Sequence, residues 1–171
     1  MVSKRGRTGI EPSHDRLSLF ADVPKARRNA MRAIKGKHTR PEMVVRSLLL
    51  RSGYRFRLHR ADLPGRPDIA LPGRKRIIEV RGCFWHRHPG CRNAVLPKTR
   101  TQWWAAKLEA NVARDRRNLD ALKALGWSVL VVWECEVDRP DLPRWLRRFL
   151  GPPGGERPAG PGQRGRGRRS R

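Results

Sequence analysis

The chain has 171 residues, 40 Lys and Arg against 15 Asp and Glu, and a formal net charge of +25. That length suits one domain with tails. No run reaches the ~18 apolar residues of a membrane span, and three cysteines behind a polar leader argue against an exported disulfide scaffold. So positive a chain calls for a polyanionic partner, most simply nucleic acid, without its tails as well as with them, since residues 41–150 alone carry 23 basic and 11 acidic side chains.

Residues 1–24 read as a disordered basic tail. Lys25 to Lys37 is basic with spaced apolar residues and predicts a short helix ending near Gly36. Thr39-Arg40-Pro41-Glu42 has capping-box spacing with proline early in the helix, so a helix should run through MVVRSLLLR and stop at Gly53. Tyr54, Phe56 and Leu58 alternate with charged residues and predict a half-buried strand. Leu63-Pro64-Gly65-Arg66-Pro67 is a stiff loop. Asp68–Leu71 and Arg76–Arg81 read as strands paired in a hairpin through Pro72-Gly73. Between Arg100 and Leu125, Trp104, Leu108, Val112, Leu119, Leu122 and Leu125 fall at mostly helical spacing. Trp127–Trp133 is continuously apolar and predicts a strand buried on both faces. A last helix should run from near Pro140 to Phe149, and the Gly/Pro/Arg-rich residues 151–171 read as a second disordered tail. The domain is then 25–150, of the α/β class with a mixed central sheet flanked by helices.

Two groups of residues carry chemistry. The hairpin brings Asp68 beside Glu79 of Glu79-Val80-Arg81. Two carboxylates and the Val80 carbonyl would make a hard-oxygen site for Mg²⁺, with Arg81 steadying a phosphate. The same residues also suit a salt-bridged strand face. The second group is Gly82-Cys83-Phe84-Trp85-His86-Arg87-His88-Pro89-Gly90-Cys91, followed by Cys135. Cys83, His88, Cys91 and Cys135 offer zinc ligand types, or simply three reduced thiols and a histidine. His86 suits a general acid or base near neutral pH, a substitute zinc ligand, or a surface position. Phe84, Trp85, Trp103 and Trp104 sit among basic residues and fit either core packing or a wedge entering a base stack.

The pattern around Asp68 and Glu79 is similar to the PD-(D/E)xK nuclease signature, with Arg81 in place of lysine. The blocks MRAIKGKHTRPE, LPGRPDIAL, GCFWHRHPGC, PKTRTQWW, NVARDRRN and GWSVLVVWEC together resemble the very-short-patch-repair (Vsr) DNA mismatch endonucleases over roughly residues 26–137. The resemblance implies a restriction-endonuclease-like fold with a structural Zn²⁺. The implied activity is Mg²⁺-dependent nicking of double-stranded DNA on the 5′ side of the T in a T:G mispair left by 5-methylcytosine deamination. Carried over by position, Asp68 and the Val80 carbonyl hold Mg²⁺, and His86 is the catalytic histidine. Glu42 and Asp115 flank the site, and Cys83, His88, Cys91 and Cys135 bind Zn²⁺. Phe84, Trp85 and Trp104 intercalate. The basic segment with Arg32, Lys35 and Lys37 lies against DNA. A bacterial cytoplasmic, nucleoid-associated location and a MutL-type repair partner are further expectations, although no motif marks the partner. An asymmetric lesion requires only a monomer.

Three departures from the best-known members stand out. Glu79 adds an acid that they lack, which makes it a candidate side-chain metal ligand. Arg81 removes any acid–base role at its position. Pro89-Gly90 lengthens the zinc-ligand spacing. The alternatives are a restriction-like nuclease cutting perfect duplex, and a zinc-stapled DNA-binding protein without enzymatic activity.

Overall fold

The computed structural model describes residues 22–33 and 36–154. The chain divides into two compact units, residues 1–37 and 38–171. In the first, α1 spans Lys25–Arg32. It stops four residues short of the predicted end near Gly36, and Lys35 lies outside the described residues.

The second unit opens with α2 (Arg40–Arg51). Its N-terminus is the expected capping box: Thr39 Oγ1 accepts from the Glu42 N–H, and the Glu42 side chain reaches back to the Thr39 N–H. These bonds satisfy N–H groups that have no partner inside the helix. The strand predicted over 54–58 shrinks to β1 (Arg57–Leu58). Tyr54 leaves the pattern because it is anchored in the core, its hydroxyl donating to the Gly151 carbonyl. The next two strands are β2 (Ile69–Leu71) and β3 (Arg76–Arg81), joined through a short 3₁₀ turn at Pro72–Arg74. Then come α3 (Thr101–Ala124), β4 (Ser128–Trp133) and α4 (Leu142–Leu150).

The four strands form one mixed sheet in the order β1-β2-β3-β4. β1, β2 and β3 pair antiparallel and β4 pairs parallel to β3. Helices cover both faces. Ile69, Leu71, Ile78 and Val132 pack with Val45 and Leu49 of α2 and Leu142, Leu146 and Leu150 of α4. On the other face Ala70 and Ile77 pack with Leu122 of α3, Leu63 and Trp127. Strand alternation therefore sends Ile78 and Val80 toward α2 and α4, and Ile77, Glu79 and Arg81 toward α3.

Two apolar expectations change. β4 is an edge strand in which only Val132 is fully buried, so its continuous apolar run is not buried on both faces. Val112 on α3 and Leu125 just beyond its end are exposed. The buried stripe runs through Trp104, Leu108, Asp115 and Leu122, so a carboxylate stands where the apolar repeat would continue. Residues 151 and 152, which composition assigns to the tail, are held to the body. Arg74 donates to the Leu150 and Pro152 carbonyls at 2.8 and 2.6 Å. Among the described residues no helix is long and apolar enough to cross a membrane.

Candidate active site and metal centre

The register Ile69↔Ile78, carried one residue outward, sets Asp68 opposite Glu79 at the end of the β2–β3 ladder. Asp68 Oδ2 accepts from the Val80 N–H at 2.9 Å, so it is the amide of Val80 that meets the carboxylate. Burial pushes the Asp68 carboxyl up to about 6. The Val80 bond opposes that shift, while Glu42 and Glu79 add to it. A carboxylate raised by desolvation and by like charges has the donor chemistry that a hard divalent cation would complete.

Both neighbouring acids are already paired. Glu79 Oε2 accepts from Arg81 Nε at 3.0 Å, with both side chains nearly buried. The pair is thus the salt bridge allowed by the sequence, removed from solvent. Arg81 continues to Asp115 of α3, with NH1 3.8 Å from Oδ2. The same oxygen accepts from His86 Nδ1. Burial opposes ionisation of Asp115, but the His86 bond and the charges of His86, Arg81 and Arg114 outweigh it and hold the carboxyl below its ordinary range. An ionised Asp115 fixes the proton of His86 on Nδ1 and leaves Nε2 for chemistry. Glu79, Arg81, Asp115 and His86 form one continuous polar chain between the end of β3 and the middle of α3, and Asp68 stands opposite its Glu79 end.

Glu42 is similarly occupied. Its Oε2 takes a 2.6 Å bond from Arg46 and a 3.1 Å bond from the His38 N–H, and its Oε1 takes the Thr39 hydroxyl at 3.0 Å. Sequence reasoning passed over Arg46 and His59. Arg46 carried one signal, its four-residue spacing from Glu42. His59 carried none, because its partners come from α2 and from Asp68, the residue before β2.

The loop after β3 builds the second centre. Cys83 is fully buried at the exit of β3, and its N–H donates to Glu134 at 3.3 Å. The Pro89-Gly90 turn, closed by Cys91 N–H to the His88 carbonyl at 3.2 Å, returns Cys91 to the same place. Cys135 arrives in the 3₁₀ turn after β4. The ligand atoms of Cys83, His88, Cys91 and Cys135 all lie within 4.8 Å of one another. A tetrahedral Zn²⁺ with sulfur at ~2.3 Å needs sulfurs ~3.8 Å apart, so the four residues fit that ion. Burial pushes the Cys83 thiol up to about 12. The His88 ring stacks on Trp133 with centroids 4.1 Å apart, which fixes its plane. Among the described residues this is the one group of three or more such side chains gathered closely enough for a metal.

The aromatics cluster beside His86. Phe84 lies 5.1 Å from Trp85 and 5.4 Å from Trp104 between ring centroids. Trp104 is buried, whereas Phe84 and Trp85 are half-buried. Lys107 lies over Trp103 at 4.8 Å. Asn111 of α3 donates to the Trp85 carbonyl at 3.1 Å and ties the aromatic loop to the helix that carries Asp115. In the basic arm, Arg32 ends α1 and Lys37 is exposed.

The family model described as DNA mismatch endonuclease Vsr matches residues 21–93. A Type II nicking enzyme, V.XorIIP of Xanthomonas oryzae pv. oryzae, is 54% identical over 139 residues, covering 81% of this chain and 98% of the relative. The DNA mismatch endonuclease Vsr of Escherichia coli K12 is 47% identical over 120 residues, covering 69% and 76%. The Type II nicking enzyme V.NmeAIP of Neisseria meningitidis is 39% identical over 107 residues, covering 63% and 76%.

Proposed function

From the premise that this chain belongs to the Vsr family of DNA endonucleases, we propose that it nicks one strand of duplex DNA 5′ of the T in a T:G mispair, and so opens a short repair tract. The observation that carries the reading is the polar chain from Glu79 to His86, with Asp68 opposite Glu79 and with Phe84 and Trp85 alongside. It joins a carboxylate suited to a divalent cation, an oriented histidine and an aromatic edge within one surface.

Asp68, with the Val80 carbonyl, would hold Mg²⁺. Bound there, the ion supplies a lowered water pKa and charge stabilisation at the scissile phosphate. Asp115 orients His86 so that Nε2 faces outward to take or give a proton. Arg81 bridges Glu79 and Asp115 as a fixed cation. Glu79 joins the metal only by releasing Arg81. Phe84 and Trp85 form the wedge, and buried Trp104 supports it from beneath. A mispaired step costs less to unstack than a paired one, which contributes to selection. Zn²⁺ on Cys83, His88, Cys91 and Cys135 would pin the wedge loop to β4. The sheet with Asp68 at its rim supports a PD-(D/E)xK reading, with the catalytic domain over 25–150 and the basic arm and tails adding phosphate attraction.

The test uses 5′-labelled duplexes carrying T:G or T:A in several flanking contexts, with Mg²⁺ or EDTA. The expected result is Mg²⁺-dependent cleavage of the T strand in the mismatch alone. The Xanthomonas relative is named a Type II nicking enzyme, and a second reading extends nicking by this chain to fully paired DNA. Equal cleavage of both duplexes would establish it.

A further inference from the structure

Arg46 and His59 have no place in the reaction as described, yet they occupy the interior beside Asp68. Arg46 and Glu42 form a pair whose side chains are 5% and 4% exposed. A guanidinium offers only donors. Arg46 NH1 lies 2.8 Å from His38 Nδ1, and NH2 lies 3.0 Å from His59 Nε2. A ring nitrogen facing a guanidinium N–H must be the acceptor, so the proton of His59 sits on Nδ1. Nδ1 is the nitrogen that faces Asp68, 3.9 Å from Oδ1. The His59 backbone also anchors the aspartate, its N–H donating to the Asp68 carbonyl at 3.4 Å. The ring is thus held by Arg46 from α2, and its backbone by the bond to the Asp68 carbonyl just beyond β1.

Resting on the reading of Asp68 as the metal-binding carboxylate, we propose that His59 is a positioning residue for the nicking reaction. Arg46 sets its tautomer so that an N–H is aimed at Asp68 Oδ1 while the Val80 N–H holds Oδ2. The side-chain gap of 3.9 Å exceeds a hydrogen bond, so the N–H acts on Oδ1 through its charge distribution while the Val80 N–H bonds Oδ2. Bonded at Oδ2 and faced by an N–H at Oδ1, the carboxylate has a preferred orientation to present to a cation, and its crowding by Glu42 and Glu79 is offset by donors. This is the arrangement by which groups behind a metal ligand set its direction and affinity.

Two measurements test the proposal. In the full chain without metal, ¹⁵N spectra of the histidine rings should show His59 protonated on Nδ1 alone. In nicking assays across Mg²⁺ concentration, His59→Phe should raise the half-saturating Mg²⁺ about tenfold, with mismatch-duplex affinity in EDTA unchanged. His59→Gln, whose carbonyl accepts from Arg46 and whose amide donates to Asp68, should stay within about twofold of the parent. A proton on Nε2, a His59→Phe protein with parental Mg²⁺ dependence, or a His59→Gln protein as impaired as His59→Phe would each overturn the proposal. Arg46 is left intact, because its loss strands Glu42 in the interior. Failure of the underlying reading is separately visible: an Asp68→Asn protein that still nicks sinks the role of Asp68, whatever tautomer His59 adopts.

Discussion

Asp68 sits where the fold works against its charge, and that conflict has a measurable consequence. Its carboxyl is raised from 3.8 to about 6 in the folded chain, with burial as the main cause. A raised carboxyl contributes stability that is complete below the unfolded value, near pH 4. That contribution is lost as pH rises through the folded value, near 6. With the side chain 24% exposed, the loss in the metal-free protein at pH 7 is on the order of 1–3 kcal/mol. Asp68→Asn should therefore melt higher than the parent at pH 7 without metal, melt close to it at pH 4, and abolish nicking at any pH. A variant that is destabilised at pH 7 would show that the carboxylate is compensated in some other way. His86→Ala should lose nicking while retaining mismatch binding, read by cleavage and by gel shift on the same duplex. Loss of binding would assign His86 to the DNA contact instead.

At the scale of elements, the site depends on how closely the loop before β2 meets α3. Gly65 has φ +74°, and a Cβ there would lie 2.7 Å from Asn118 Nδ2 and 3.0 Å from its Cγ. Both the backbone conformation and the contact exclude a side chain. Gly65→Ala should destabilise by roughly 1–3 kcal/mol in chemical denaturation, and should lower nicking beyond that by tilting Pro67-Asp68 away from β3. A neutral result would mean that the loop can move without disturbing Asp68. The capping box at the start of α2 is a second element-level control. Thr39→Ala removes the cap and one donor to Glu42, for an expected loss of about 1 kcal/mol.

Across the whole molecule, two features connect distant segments. The Cys/His group brings together residues 83, 88, 91 and 135, so the wedge loop and the end of β4 share one anchor. One zinc per chain is expected by elemental analysis. Its removal with a chelator should lower the melting temperature and weaken mismatch discrimination before it weakens overall DNA binding. The charge of +25 acts at longer range. Each neutralised phosphate contributes about −0.9 to the log–log salt slope, so a footprint of six to ten phosphates gives a slope of about −5 to −9 for duplex binding. A slope near −2 would mean that the basic tails do not engage the backbone.

Much of this was legible in the sequence, because the signals were local. The capping box at Thr39, the hairpin from Ile69 to Arg81, the long helix up to Ala124 and the Cys/His types are written in spacings of a few residues, where backbone geometry decides the outcome. Where several elements meet, local periodicity could not choose. The apolar run of β4 did not reveal that it lies at a sheet edge, since the number of neighbours a strand has is settled by the order of the whole sheet. The helical repeat of α3 did not reveal that Asp115 takes a buried position, since its partners Arg81 and His86 come from β3 and the loop after it. The ties of Arg46 to Glu42, His38 and His59 are likewise tertiary. Sequence alone determined which chemical groups are present and which elements carry them. Only the tertiary structure decided which charges neutralise one another, because burial and pairing depend on residues brought together from opposite sides of the sheet.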